Sequence, residues 1–217
     1  MAIIEKTNFP TGTSTTATVL YNWLKQFEND LFSVSINDND VNISIDNGAI
    51  TLTFTRNYYF GDPYFYLRYK VGSGNVIDVF NMSCPLDFIL VYSDSLFYCN
   101  LIGDGHNNRA GFIYEKTTNK NLYGVFGGSS GDFYDIAEFN LIDIDTSTPY
   151  KHSAVLNYAD SLGSLDYLNY DILFNGSIKA EIDNNFIACS ELTPNTIITF
   201  NANNYYVIGK NSLIKLD

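Results

Sequence analysis

From Val34 to Phe54 the chain alternates apolar and polar residues: Val34 and Ile36, then Val41, Ile43 and Ile45, then Ile50, Leu52 and Phe54, with Ser, Asn or Thr between the members of each set. Successive side chains of a strand point to opposite faces, so this period of two describes strands with one face in water and is incompatible with a helix. Asn37-Asp38-Asn39-Asp40 and Asp46-Asn47-Gly48 separate the sets with residues that tolerate left-handed backbone, the chemistry of tight turns. The pattern predicts an antiparallel meander covered on one face only.

The next strands extend it. Between Pro63 and Val71, Phe65, Leu67, Tyr69 and Val71 share one parity, and Tyr64, Tyr66, Arg68 and Lys70 the other. With the first set joining Phe54 in the core, the second places two tyrosines and two cations on the outer face. Val76 to Phe80 is strand-like. Leu86–Tyr92 and Leu96–Ile102, joined by Ser93-Asp94-Ser95, are apolar on both parities, as expected of central strands buried on both sides. Gly111–Lys116 and Asn121–Phe126 flank Thr117-Thr118-Asn119-Lys120 as a hairpin, and Gly127-Gly128-Ser129-Ser130-Gly131 then breaks the pattern.

Beyond it lie a strand-like stretch from Phe133 to Ile144, a turn-rich Asp145–Pro149, and a stretch from Ala154 to Leu168 with room for a short helix. Strands return at Ile172–Phe174, Ile178–Ile182, Phe186–Cys189 and Ile197–Phe200, and in a hairpin of Tyr205–Ile208 and Leu213–Leu216. One helix is expected. Thr11-Gly12-Thr13-Ser14-Thr15-Thr16 offers capping hydroxyls, and Ala17, Leu20, Leu24, Phe27 and Leu31 recur every three or four residues, about four turns from residue 15 to 30, with Trp23 as a packing anchor. The expected fold is mainly β: an antiparallel β-sandwich or barrel-like sheets with one N-terminal amphipathic helix. A chain of 217 residues admits one or two domains. The division expected is 1–145, the helix with an antiparallel β domain, and 146–217, a smaller C-terminal β module, with a single domain as the alternative.

Composition narrows the function. The formal charge of −12 repels a phosphate backbone, which argues against nucleic acid as a partner. Met-Ala-Ile-Ile-Glu-Lys-Thr-Asn lacks the features of a secretory signal, and no apolar run approaches the ~18 residues of a spanning helix, so a soluble, cytoplasm-made protein without a membrane partner is expected. Cys84, Cys99 and Cys189 form no Cys-x-x-Cys pair and read as small buried hydrophobes.

No motif signals catalysis or a cofactor. Asp38-Asn39-Asp40-Val41-Asn42 has the acidic start of a calcium loop, but Ile43 stands where the loop needs Gly and Ala49 where it needs Glu, so no metal site is assigned. The Gly-rich Gly103–Gly111 precedes a strand rather than the helix a phosphate loop requires. His106 and His152 are the two imidazoles, and no Gly-x-Ser-x-Gly elbow surrounds any serine. A protein without enzymatic activity is expected. The 17 tyrosines suit interfaces, where a large apolar ring with a polar end is favoured.

Thr199-Phe-Asn-Ala-Asn-Asn-Tyr205-Tyr206-Val-Ile-Gly-Lys-Asn-Ser-Leu-Ile-Lys-Leu216 resembles the ends of virion structural proteins of phages of low-GC Gram-positive or gut bacteria. Leu20-Tyr-Asn-Trp-Leu, followed by Ser35-Ile-Asn-Asp-Asn-Asp and by Asn47-Gly48 with Leu52-Thr-Phe, is similar to their N-terminal parts. The likeness covers both ends of the chain and not its middle. It implies a bacteriophage tail, baseplate or head-accessory protein, assembled in the host cytoplasm into the virion. Such a protein carries no cofactor, and its partners are copies of itself and other virion proteins. Because the strand carrying Tyr205 is apolar on both parities, Tyr205 and Leu216 are expected at a contact between copies. The alternative is a carbohydrate-binding β-sandwich or receptor-binding module that meets a cell-surface glycan through Tyr64, Tyr66 and Arg68.

Overall fold

A computed structural model describes residues 2–10, 16–59, 62–103, 109–116, 121–128, 140–145, 149–151, 171–174, 177–181, 186–187, 195–200, 203–209 and 212–216. The expected stretch from Ala154 to Leu168 lies outside these. In chain order the elements are β1 (Ile3–Phe9), helix α1 (Ala17–Leu24) continuing as a 3-10 turn (Lys25–Phe27), β2 (Phe32–Asn37), β3 (Asp40–Ile45), β4 (Ile50–Tyr59), β5 (Asp62–Val71) and β6 (Ile77–Ser83). There follow β7 (Leu86–Tyr92), β8 (Leu96–Gly103), β9 (Arg109–Lys116), β10 (Asn121–Gly128), β11 (Asn140–Asp143), β12 (Pro149–Lys151), β13 (Asp171–Phe174), β14 (Ser177–Glu181), β15 (Phe186–Ile187), β16 (Ile197–Phe200), β17 (Asn203–Gly209) and β18 (Ser212–Leu216). They form a five-stranded sheet, β2-β3-β4-β5-β6, a seven-stranded sheet, β1-β7-β8-β9-β10-β11-β12, a four-stranded sheet, β15-β18-β17-β16, and a β13-β14 pair. The fold is mainly β and antiparallel, as the alternation predicts. The chain forms two compact units, one of Glu5–Ile113 with Val125–Ser130, the other of Met1–Ile4, Tyr114–Gly124 and Gly131–Asp217.

The helix is shorter than its spacing suggests, and a strand precedes it. Thr16 caps α1, its hydroxyl accepting from the Val19 N–H at 3.2 Å, but regular helix ends at Leu24 instead of near residue 30. The competitor is Asn29, whose side-chain oxygen accepts from the N–H groups of Leu31 and Phe32 at 3.0 and 3.1 Å and so turns the chain into β2. Ala17, Leu20 and Leu24 are buried, yet Val19 is exposed, so the apolar residues spread further round the axis than a single stripe. β1 has no alternation to announce it: Ile3, Ile4 and Phe9 flank Glu5-Lys6-Thr7-Asn8.

In the five-stranded sheet the turns fall where the sequence places them. Asn37 pairs with Asp40 across a two-residue connection in which Asp38 has φ 52°. Asp46, Asn47 and Gly48 take three positive φ values in succession, 47°, 55° and 88°, a conformation that only short polar residues and glycine tolerate. The Gly48 N–H donates to the Ile45 carbonyl and the Ala49 N–H to that of Asp46, which closes this turn. Register then follows without slippage through β3 and β4, from Asp40 opposite Thr55 to Ile45 opposite Ile50.

Two sheets sandwich the core of the Glu5–Ile113 unit. Val41, Ile43, Ile45, Ile50, Leu52 and Phe54 are fully buried on the inner face of the five-stranded sheet. Opposite them, Phe54 meets Phe88 of β7 at 5.4 Å between ring centroids, Phe32 meets Phe97 of β8 at 5.0 Å, and Tyr69 meets Phe112 of β9 at 6.0 Å. Trp23 of α1 packs edge-on against Phe88 at 5.3 Å, the anchor role its stripe predicts. Each such ring pair contributes about 0.5–1.5 kcal/mol beyond the area it buries. Every residue of β8 is buried, as are Leu86, Phe88, Ile89, Leu90 and Val91 of β7, so these are central strands covered on both faces.

In the other unit, β17 lies between β18 and β16, with Tyr205 opposite Lys215 and Ile198. Tyr205, Tyr206 and Val207 are fully buried and Leu216 is 5% exposed. The Tyr206 hydroxyl donates to the Asn195 side-chain oxygen at 2.9 Å. A strand apolar on both parities therefore finds cover within its own chain, as an inner strand of its own sheet.

Candidate functional site

The outer face of the five-stranded sheet is built from the polar parity of each strand. Thr51, Thr53 and Thr55 of β4 stand between Asp40, Asn42 and Ser44 of β3 and Tyr66, Arg68 and Lys70 of β5. All nine are half-buried, because neighbouring side chains on a pleated surface shade one another without covering it. Pairing aligns Asn37, Asp40, Thr55, Tyr66 and Asn81 in one row across the sheet, and Asn57, Tyr64 and Ser83 in another. The result is a platform of hydroxyls, amides and two tyrosine rings.

A hydrogen-bonded cluster fixes its centre. The Thr55 hydroxyl donates to Asp40 Oδ1 at 2.5 Å and accepts from Arg68 Nη2, and Arg68 Nη2 also lies 3.5 Å from Asp40 Oδ1. Beside it the Thr53 hydroxyl donates to Asn42 Oδ1 at 2.8 Å. The Arg68 guanidinium thus reaches across β4 to a carboxylate on β3, an arrangement that holds the cation in one place and neutralises it locally. Asp40, an acid of the calcium-like stretch, is committed to Thr55 and Arg68. Among the described residues no group of three or more His, Cys, Asp or Glu could hold a metal ion.

Tyr64 and Tyr66 are the uncommitted members of this face. Among the described residues neither takes part in a ring pair, hydrogen bond or ion pair, whereas the core aromatics Phe9, Trp23, Phe27, Phe32, Phe54, Phe65 and Phe88 are all paired. The sequence places Tyr64, Tyr66 and Arg68 on one outer face, and so does the structure. What parity alone misses is Asp40 and Thr55, which join Arg68 only once two hairpin registers are known. Tyr205 and Leu216 belong to the other unit, where Tyr205 has no exposed surface and Leu216 is 5% exposed, so neither is an open contact residue in this chain.

The sheet edges carry side chains of their own. At β2 the Val34 N–H donates to Glu28 Oε1 at 2.5 Å and the Val34 carbonyl accepts from Lys25 Nζ at 3.5 Å, while Lys25 and Glu28 are themselves paired at 2.7 Å. Burial opposes ionisation of Glu28, but its bonds to Lys25 and Val34 outweigh that and hold its carboxyl below the usual range; the hydrogen bond to Glu28 raises Lys25. This side-chain pair occupies an edge that another strand could otherwise join. The opposite edge, β6, carries exposed Ile77, with Val76 exposed just before it. Ile3 of β1 and Ile197 of β16, each at the end of its sheet, are exposed too.

Of the nucleophile candidates, Cys84 and Cys99 are free and buried, and burial pushes their thiols up to about 11 and about 12. Neither is a thiolate near neutral pH. His106, His152, Cys189 and the loop at 104–108 lie outside the described residues. Comparison with protein families, with curated proteins and with solved structures gives no match.

Proposed function

We propose that this chain is a non-enzymatic structural component of a phage virion, of the tail, baseplate or head-accessory kind, that acts by assembling with copies of itself and with other virion proteins. The resemblance of its two ends supplies the virion setting. The observation that supports assembly is where the exposed apolar side chains sit. Of the five large ones among the described residues, Ile3, Ile77 and Ile197 are on sheet-end strands and Val76 adjoins one, with only Val19 on the helix. Open edges invite strand addition and are ordinarily guarded by charge, so apolar residues there suit a protein whose edges meet other chains.

Light scattering on the purified chain over a range of concentrations tests this reading. A discrete oligomer is expected, with Ile77→Lys reducing its mass while leaving the circular dichroism spectrum unchanged. A chain that stays monomeric at every concentration and binds no other virion protein would overturn it.

A further inference from the structure

We infer that the outer face of β2–β6 is a binding site for a neutral oligosaccharide, centred on Tyr64 and Tyr66. The inference goes beyond assembly and does not depend on it. The two tyrosines occupy alternate positions of β5, so their side chains leave the same face about 6.6 Å apart. They are half-buried, without ring partners among the described residues, on a face of Thr, Asn, Ser and Asp side chains with Arg68 and Lys70 further along β5. Two aromatic rings side by side along a strand form a narrow apolar track within polar surroundings.

A pyranose ring has the complementary chemistry: C–H groups on its face and hydroxyls round its rim. Stacked on a tyrosine, it would leave those hydroxyls over the neighbours in the same cross-strand row. For Tyr66 these are Thr55 and Asn81, and for Tyr64 they are Asn57 and Ser83. Hydroxyls and amides both donate and accept, which suits rim hydroxyls that do the same. An extended chain of sugars along β5 could thereby use both rings, each with its own polar flank.

Charge selects a neutral ligand. Arg68, the cation next to Tyr66, is paired with Asp40 and bonded to Thr55, and Asp78 lies across from it on β6; the second cation, Lys70, stands four residues along β5 from Tyr66 and opposite Thr51. The chain as a whole carries −12, which repels polyanions. An anionic polysaccharide would have to displace Asp40 from its arginine, whereas a neutral one need not.

The test is an amide-shift titration of the ¹⁵N-labelled chain, at a concentration where scattering shows no assembly, with cellohexaose, maltohexaose, chitohexaose, a mannan oligosaccharide and a rhamnan oligosaccharide, and a heparin hexasaccharide as the anionic comparator. At least one neutral probe is expected to move the resonances of Tyr64, Tyr66 and Arg68 as one group. Tyr64→Ala with Tyr66→Ala should weaken that probe by about tenfold or more. Tyr64→Phe with Tyr66→Phe, which keeps both rings, should retain most of the binding. Silence from all five neutral probes overturns the proposal, as does a heparin response larger than theirs or undiminished binding in the double Ala variant. If these resonances move only as the chain itself is concentrated, the face meets protein and the proposal also fails. Because the reading is taken below the assembly range, a negative result here leaves the virion proposal standing, and a monomeric chain leaves this one standing.

Discussion

A thiol is a nucleophile only as its thiolate, and burial opposes that ionisation at Cys84 and Cys99 alike. At Cys84 the nearby Arg56 works the other way without prevailing, and at Cys99 a hydrogen bond with the Phe112 backbone does the same. With a pKa of about 11, roughly one Cys84 in a thousand is ionised at pH 8, and Cys99 less than that. In a Cys189→Ser variant a disulfide reagent should therefore find no reactive thiol in the native chain and two after denaturation. A fast native reaction would show that one of the two is open to solvent. Tyr64 and Tyr66 present the opposite case at the same scale, half-buried rings that take part in no ring pair or hydrogen bond among the described residues.

Lys25 and Glu28 show how one element guards another. They leave the end of the helix and bond the Val34 N–H and carbonyl, so the edge of β2 is occupied by side chains from the preceding segment. Glu28 is held below the usual carboxyl range, so its contribution to stability is fully present above the unfolded value near 4.5 and is lost as the pH falls through its lowered folded value. Replacing Glu28 with Gln should lower the melting temperature at pH 7, and the gap from wild type should close as the pH falls below 4. A gap that persists at pH 3 would place the effect in packing instead of charge. Strands of this kind were legible in the sequence wherever one face is wet, because each set between Val34 and Phe54 alternates from turn to turn. The length of α1 was not, since the apolar spacing continues through Phe27 and Leu31 while the Asn29 side chain diverts the backbone. β1 was hidden for want of alternation. The outward parity of Tyr64, Tyr66 and Arg68 could be read directly, but the link from Arg68 to Asp40 spans β4 and depends on pairing that no local pattern encodes.

For the whole molecule, the last strands are structural. β17 is an inner strand, and Tyr205, Tyr206 and Val207 have no exposed surface. Deleting residues 203–217 removes two of the four strands of that sheet, and with them the partners of β15 and β16. The truncated chain is expected to lose the dispersed amide spectrum of its unit. A truncated chain that keeps this dispersion and loses only its assembly would return Tyr205 and Leu216 to an interface. The five-stranded sheet has a further consequence through the pair at Val34. Within this sheet, with the β2 edge taken at Val34 and exposed Ile77 on β6, the assembly proposed above would add a second copy at β6, β6 against β6 about a two-fold axis. That addition would use up the β6 side of both copies and leave the guarded Val34 at each outer end. On that proposal growth through this sheet would stop at two copies, and the same few atoms of Lys25 and Glu28 that steady one strand would also keep the pairing from running on into a fibre.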